Sequence, residues 1–173
     1  MTFVFVALIV ALSATACAPP RPPARMTTVL LVRHAERNDG SLSEAGLERA
    51  DALAHVALKA GVTAVYATDT ERAQQTAQPL ADLLELDPVI YQVDSPDHIR
   101  DLAAEVLRDH TGEVVLIVGH DPTVPLTIEA LGGDPARCSI GTAADEFDDL
   151  CIVTIDGRGA VKVVNLQYGQ PSP

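Results

Sequence analysis

The chain has 173 residues, 47% of them hydrophobic, which suffices for one compact domain with a sizeable core. Its 24 Asp and Glu against 12 Lys and Arg give a formal charge of −12, and removing residues 1–16 leaves this unchanged because that stretch has no charged side chain. So acidic a surface repels nucleic acid and anionic headgroups, which excludes polyanion binding over a broad face but leaves room for one small anion in a local basic pocket.

Residues 3–12 are an uninterrupted apolar run, too short to cross a bilayer as a helix, followed by Ser13-Ala14-Thr15-Ala16 and then Cys17. That order reads as an export signal over residues 1–16. Small residues before a cysteine resemble a bacterial lipobox, in which the cysteine is lipidated and begins the mature protein; cleavage by ordinary signal peptidase is the alternative. Pro19, Pro20, Pro22 and Pro23 argue against a buried element here and make residues 17–26 a stiff tether. The expected location is the periplasm or cell envelope, with membrane contact only through lipid on Cys17. Cys138 and Cys151 then remain as an even pair in an oxidising compartment, either bonded across the loop after the last helix or kept as two buried thiols.

From residue 27 to 170, apolar runs alternate with helical patterns, which predicts an α/β/α sandwich of three layers around a mostly parallel sheet. Residues 28–33 form a first buried strand. Ser41 or Ser43 caps a helix to about residue 60, with Leu47, Ala50, Leu53, Ala54 and Ala57 inward and Gly61 as its stop. Residues 62–67 are the second strand, and residues 70–86 a helix capped by Asp69 or Thr70. A short strand over 88–93, a polar loop over 94–97 and a helix ending near His110 follow. Residues 113–118 are a buried strand, 122–131 a helix, and 150–155 with 160–166 a closing hairpin. The segment 134–149 carries no periodic signal; its position after the last helix suggests a role in specificity.

Ligands in open α/β sheets bind beyond the carboxyl ends of the strands. Arg33-His34 follows the first strand, Arg72 lies in the opening turn of the helix after the second, and Gly119-His120 follows the strand over 113–118. Three motifs therefore converge on one edge. Arg33 and Arg72 present planar forks suited to phosphate oxygens. His34 is the candidate nucleophile and His120 its electrostatic partner, since an unprotonated imidazole can attack phosphorus and a protonated one can stabilise its oxygens. Thr68 adds a hydroxyl near the anion, and Gly119 is expected to let the backbone approach it. Of the other histidines, His55 and His110 are expected to be structural and His98 to lie at the margin. The five make no metal cluster, for none is spaced i, i+3 or i+4 from another histidine or a cysteine.

Arg33-His34-Ala35-Glu36 resembles the Arg-His-Gly signature of the histidine phosphatase (phosphoglycerate-mutase-like) superfamily, with Ala35 in the glycine's place. Residues 68–77 resemble its Ser-x-x-x-Arg-Ala-x-Gln-Thr-Ala segment, Gly119-His120 its second catalytic histidine, and Leu42-Ser43-Glu44-Ala45-Gly46 its first helix start. The resemblance implies that fold, a phosphohistidine on His34, a pocket of Arg33, Arg72 and His120, and no cofactor or metal. The proton donor to the leaving group is open among Asp121, Glu36, Asp94 and Asp97, in that order.

The expected function is metal-independent hydrolysis of a phosphomonoester, on a small molecule or a phosphoprotein. The alternatives are a mutase, which needs extra covering loops, and a phosphate-binding lipoprotein without turnover.

Overall fold

The computed structural model describes residues 25–140 and 145–172. The expected signal peptide, Cys17 and nearly all of the tether lie outside these. In chain order the elements are β1 (Thr27–Arg33), β2 (Arg37–Asn38), β3 (Ser41–Leu42), α1 (Glu44–Ala60), β4 (Ala64–Thr68), α2 (Glu71–Leu84), β5 (Val89–Tyr91), α3 (Pro96–Asp109), β6 (Val114–Gly119), α4 (Thr123–Ala130), a 3-10 turn (Pro135–Arg137), β7 (Asp149–Ile155) and β8 (Val161–Gln167).

β1 and β6 are continuous apolar runs with no alternation, the pattern of strands covered on both faces. They pair in parallel at the centre of a six-stranded sheet of order β5-β4-β6-β1-β7-β8, where β5, β4, β6 and β1 are mutually parallel, β7 is antiparallel to β1, and β8 is antiparallel to β7. One core joins alternate strand residues such as Leu30, Val32, Val65 and Leu116 to α1 and α2 through Leu53, Ala57 and Leu80. The other joins Val29, Leu31, Val115 and Ile117 to α3 and α4 through Leu102, Val106, Val124 and Ile128. The protein is thus a three-layer α/β/α sandwich. No helix among the described residues is long and apolar enough to cross a membrane.

Several local expectations need correction. Leu47 is 53% exposed, because the buried stripe of α1 is Gly46, Ala50, Leu53, Ala54 and Ala57; Leu47 sits at its margin in the first turn, and Arg49 at the opposite margin is the buried one. Ser43 is the cap of α1, its hydroxyl accepting the Gly46 N–H at 3.2 Å. Thr70 caps α2 by backbone position alone. Asp97 lies inside α3 rather than in a loop. A two-stranded ribbon, β2 with β3, was not expected, although the Asp39-Gly40 pair between them is a turn signal and Asp39 adopts φ 54°.

Gly46 has a steric reason to be glycine. A Cβ there would sit 2.0 Å from the Glu36 carbonyl oxygen, so only glycine lets α1 begin this close to the loop that leaves β1.

Candidate active site

The carboxyl ends of β1, β4 and β6 lie side by side, and each delivers site residues. The His34 N–H donates to the Gly119 carbonyl at 2.9 Å, extending the β1–β6 ladder one step past the strand. This sets His34 beside His120, ring centroids 5.2 Å apart at 66°.

His34 is 3% exposed, and its Nδ1 lies 2.8 Å from the Ala35 carbonyl oxygen. A carbonyl only accepts, so Nδ1 carries the hydrogen and Nε2 keeps its lone pair. The Ala35 peptide is itself held: its N–H donates to Thr76 Oγ1 at 3.0 Å, and that hydroxyl donates to the Arg72 carbonyl at 2.8 Å. One hydrogen-bonded chain thus runs from α2 to the imidazole.

His120 is fixed from two directions. Its N–H donates to Thr123 Oγ1 at 2.8 Å, and its Nε2 lies 3.0 Å from Thr68 Oγ1 and 3.5 Å from Thr70 Oγ1. Thr68 is wholly buried. Its hydroxyl, expected on the phosphate, is placed to orient His120. Gly119 is required by the same packing, for a Cβ there would meet Thr123 Oγ1 at 2.6 Å; the neighbour demanding close approach is this side chain rather than a ligand.

Arg33 lies at the end of β1 with its Nε 2.9 Å from Asp121 Oδ1 and its Nη1 donating to the Glu146 carbonyl at 3.2 Å. Its guanidinium carbon stands 4.1 Å from the centre of the Phe147 ring. Arg72 enters from the first turn of α2, and its Nε has no hydrogen-bond partner among the described residues. Arg37 on the β2–β3 ribbon adds a third positive charge: the ribbon is tied over the start of α2 by Leu42 N–H to Gln75 Oε1 at 2.7 Å and Ser41 Oγ to Glu71 Oε1 at 3.0 Å. Sequence reasoning missed Arg37, Thr76 and Phe147. Of these, only Thr76 lies within a motif.

The four candidate acids separate clearly. Glu36 is bound by Arg49 through Nε at 2.9 and 3.0 Å and Nη2 at 2.6 Å, while Arg49 Nη1 reaches the Tyr168 and Gln170 carbonyls. Burial opposes its charged form, yet the Arg49 hydrogen bonds outweigh this and hold it below its ordinary range. A carboxylate so held is a poor acid, and its work is to clamp the C-terminal segment to the loop after His34. Asp94 faces His98 and Asp97 faces Arg100, with both carboxylates largely in solvent. Asp121 adjoins both Arg33 and His120. Burial raises its pKa and the Arg33 charge opposes the rise, with a net upward shift even though the two side chains are in contact. His55 is exposed, and His110 bridges Tyr66 Oη and Glu113 Oε2, as structural residues would.

Burial lowers both site histidines to about 4; the Ala35 carbonyl opposes this at His34, while the partner histidine, Arg72 and Arg33 add to it. At His120, Arg72, Arg33 and Arg37 act with burial and Asp69 against it. Unfolded, each titrates near 6.5. The unfolded chain therefore binds more protons between about 6.5 and about 4, so stability from these groups is complete above 6.5 and is lost as pH falls toward 4. Urea midpoints are expected to drop between pH 7 and pH 5, roughly the upper part of that window, and to drop less in a variant carrying His34→Gln and His120→Gln.

Cys138 and Cys151 form a disulfide with a Cα–Cα separation of 5.8 Å, resolving the two alternatives left by the sequence. Among the described residues no group of three or more His, Cys, Asp or Glu is arranged to hold a metal.

A parallel sheet whose carboxyl edge gathers a buried His34, a half-buried His120 and a surplus of arginine defines an α/β protein with a cationic edge of the kind that suits a small anion. The sequence profile of the histidine phosphatase superfamily (branch 1) matches residues 29–95, from β1 to the loop beyond β5, which includes Arg33, His34 and Arg72. No curated protein matches the chain in sequence. Solved structures extend the likeness over the remaining elements. The protein histidine phosphatase SixA complexed with tungstate superposes with a TM-score of 0.60 at 17% identity, covering 81% of this chain and 96% of that one. Mycobacterial glucosyl-3-phosphoglycerate phosphatase gives 0.60 at 16%, covering 84% and 100%. Phosphoglycerate mutase from Plasmodium falciparum gives 0.58 at 18%, covering 84% and 94%. The chain is therefore similar to the histidine phosphatase superfamily over residues 29–95 and shares the fold of these solved structures across the remaining elements.

Proposed function

We propose that this protein hydrolyses phosphomonoesters through a phosphohistidine on His34. The observation that carries this is the 2.8 Å contact of His34 Nδ1 with the Ala35 carbonyl, which leaves Nε2 unprotonated beside Arg33, Arg72 and His120. Burial that disfavours the imidazolium keeps that lone pair free near neutral pH.

The phosphate dianion is received by the arginines, whose charge offsets its desolvation. Nε2 attacks phosphorus in line; the P–O ester bond breaks, and Asp121 gives its proton to the departing oxygen. His120, drawn toward its charged form by the incoming dianion, stabilises the equatorial oxygens. Asp121, now a carboxylate, takes a proton from water as that water attacks the phosphoimidazole. Inorganic phosphate leaves and the starting protonation states return. Each step conserves protons within the site.

The names of the structural neighbours include phosphatases and a mutase, so the fold does not choose between these reactions. Hydrolysis is favoured by the short ribbon, Arg37–Asn38 with Ser41–Leu42, which is slight cover for a site that would have to hold an intermediate away from water. The substrate is a phosphorylated small molecule or phosphoprotein. We further place the protein in the cell envelope, anchored through Cys17, on the strength of the sequence of residues 1–26; the Cys138–Cys151 bridge suits such an oxidising compartment.

The test is a time course of the full chain with p-nitrophenyl phosphate and chelator, following p-nitrophenol and inorganic phosphate together. Equal release of both supports hydrolysis. Release of p-nitrophenol with phosphate passing instead to an added alcohol acceptor supports a transferase, and binding of phosphate without release of either supports a binding protein.

A further inference from the structure

Arg33 is held on three sides, and two of its partners come from one short segment. Besides Asp121, it meets the Glu146 carbonyl at 3.2 Å and the Phe147 ring at 4.1 Å. A carbonyl and an aromatic face orient a guanidinium without cancelling its charge, so the cation stays available to an anion. The same ring lies 6.1 Å from the His34 ring.

This segment lies inside the loop that the Cys138–Cys151 disulfide closes. Cys151 is fully buried in β7, where its register partner is Leu31 of the strand that ends in Arg33. The bridge therefore ties the beginning of the loop to the strand next to the one that supplies the site. The other end of the segment is tied separately: the Phe147 N–H donates to Ser172 Oγ at 2.8 Å, and Ser172 Oγ donates to Asp148 Oδ1 at 2.9 Å. Ser139, one residue past Cys138, is joined to β8 by Asn165 Nδ2 donating to its Oγ at 2.9 Å. Glu146 and Phe147 thus lie in a loop whose described ends are both tied to the body of the fold.

We propose that Phe147 is a positioning residue of the phosphate site and that the Cys138–Cys151 disulfide acts through it, by confining the segment that aims Arg33. The proposal rests on the reading of Arg33 as a phosphate ligand. It assigns a functional consequence to a bridge and to an aromatic residue that both lie outside every motif.

The experiment compares the oxidised parent with Phe147→Ala, Phe147→Trp, the pair Cys138→Ala with Cys151→Ala, and the triple variant carrying Phe147→Ala in the cysteine-free background. The readouts are kcat and KM for p-nitrophenyl phosphate, the inhibition constant of orthovanadate, and the melting temperature. Phe147→Ala is expected to raise KM and weaken vanadate about 3- to 10-fold with a smaller change in kcat, and Phe147→Trp to restore both, as a cation–π contact requires. The cysteine-free pair is expected to weaken vanadate in the same sense, and the triple variant to lose less than the product of the two separate losses. Multiplicative losses, or a cysteine-free protein that melts earlier yet binds vanadate like the parent, would reduce the disulfide to a staple and overturn the coupling. Unchanged KM in Phe147→Ala, or no recovery in Phe147→Trp, overturns the positioning role even if the cysteine variants do not fold. A folded parent that neither turns over p-nitrophenyl phosphate nor binds vanadate instead overturns the phosphatase reading itself.

Discussion

His34→Ala is expected to lower p-nitrophenyl phosphate turnover by about three orders of magnitude or more, because the covalent route disappears with the imidazole. The fold should survive. β1 ends before this residue, and its ladder to β6 is made by backbone groups that the substitution leaves alone. The local cost is an Ala35 carbonyl that loses one partner, about 1 to 3 kcal/mol if water cannot reach it. Quenching the parent during turnover with alkaline denaturant should yield a phosphoprotein that is stable to alkali and labile to acid, the behaviour of a phosphoimidazole, with the phosphate mapped to His34 by mass spectrometry. Attack by His120 predicts the reverse: label on His120, persisting in His34→Ala. The hydrogen bonds argue for the first pattern, since His34 has a carbonyl that fixes its tautomer whereas His120 Nε2 faces hydroxyls able to donate or accept.

Asp121→Asn is the second decisive change. Loss of a general acid typically costs about 100- to 10,000-fold, and the cost should appear in full with an alkyl phosphate, whose alkoxide cannot leave unprotonated. With p-nitrophenyl phosphate the loss should be far smaller, because p-nitrophenolate departs without help. Were Asp121 only the partner of Arg33 across their 2.9 Å contact, both substrates would suffer alike and KM would move more than kcat. The protonation state favours the acid role. Burial already raises Asp121, and a dianion bound at Arg33 weakens the one interaction that pulls it down. Glu36→Gln should behave differently again: it breaks the clamp on Arg49, lowering thermal stability before it touches the leaving-group dependence.

Much of the site was legible in the sequence because its four principal residues are placed by backbone rules. Arg33, His34 and His120 each stand at or just past the end of a parallel strand, and Arg72 in the first turn of a following helix, so one sheet edge must receive them all. The parts that stayed hidden are side-chain contacts between distant positions. Arg33 meets the carbonyl of Glu146 across 113 residues, and Arg49 meets those of Tyr168 and Gln170 across 119 and 121. No periodicity or spacing reports such a meeting. Leu47 and Arg49 show the same limit within a single helix: both flank the apolar stripe, and only the presence of Glu36 opposite Arg49 decides that the arginine goes in and the leucine stays out.

By itself, then, the sequence determined the α/β/α layering, the parallel centre of the sheet and the convergence of two histidines and two arginines on one edge. These follow from local periodicity and from the geometry that parallel strands share. Tertiary structure alone decided which candidate carboxylate lies against Arg33, which nitrogen of His34 faces a carbonyl, and that Thr68 contacts His120 while Phe147 underlies Arg33. Those outcomes depend on burial and on hydrogen-bond partners brought together only when β1, β6, α2 and the disulfide-closed loop meet, and a proton's position is set by whichever groups surround it there.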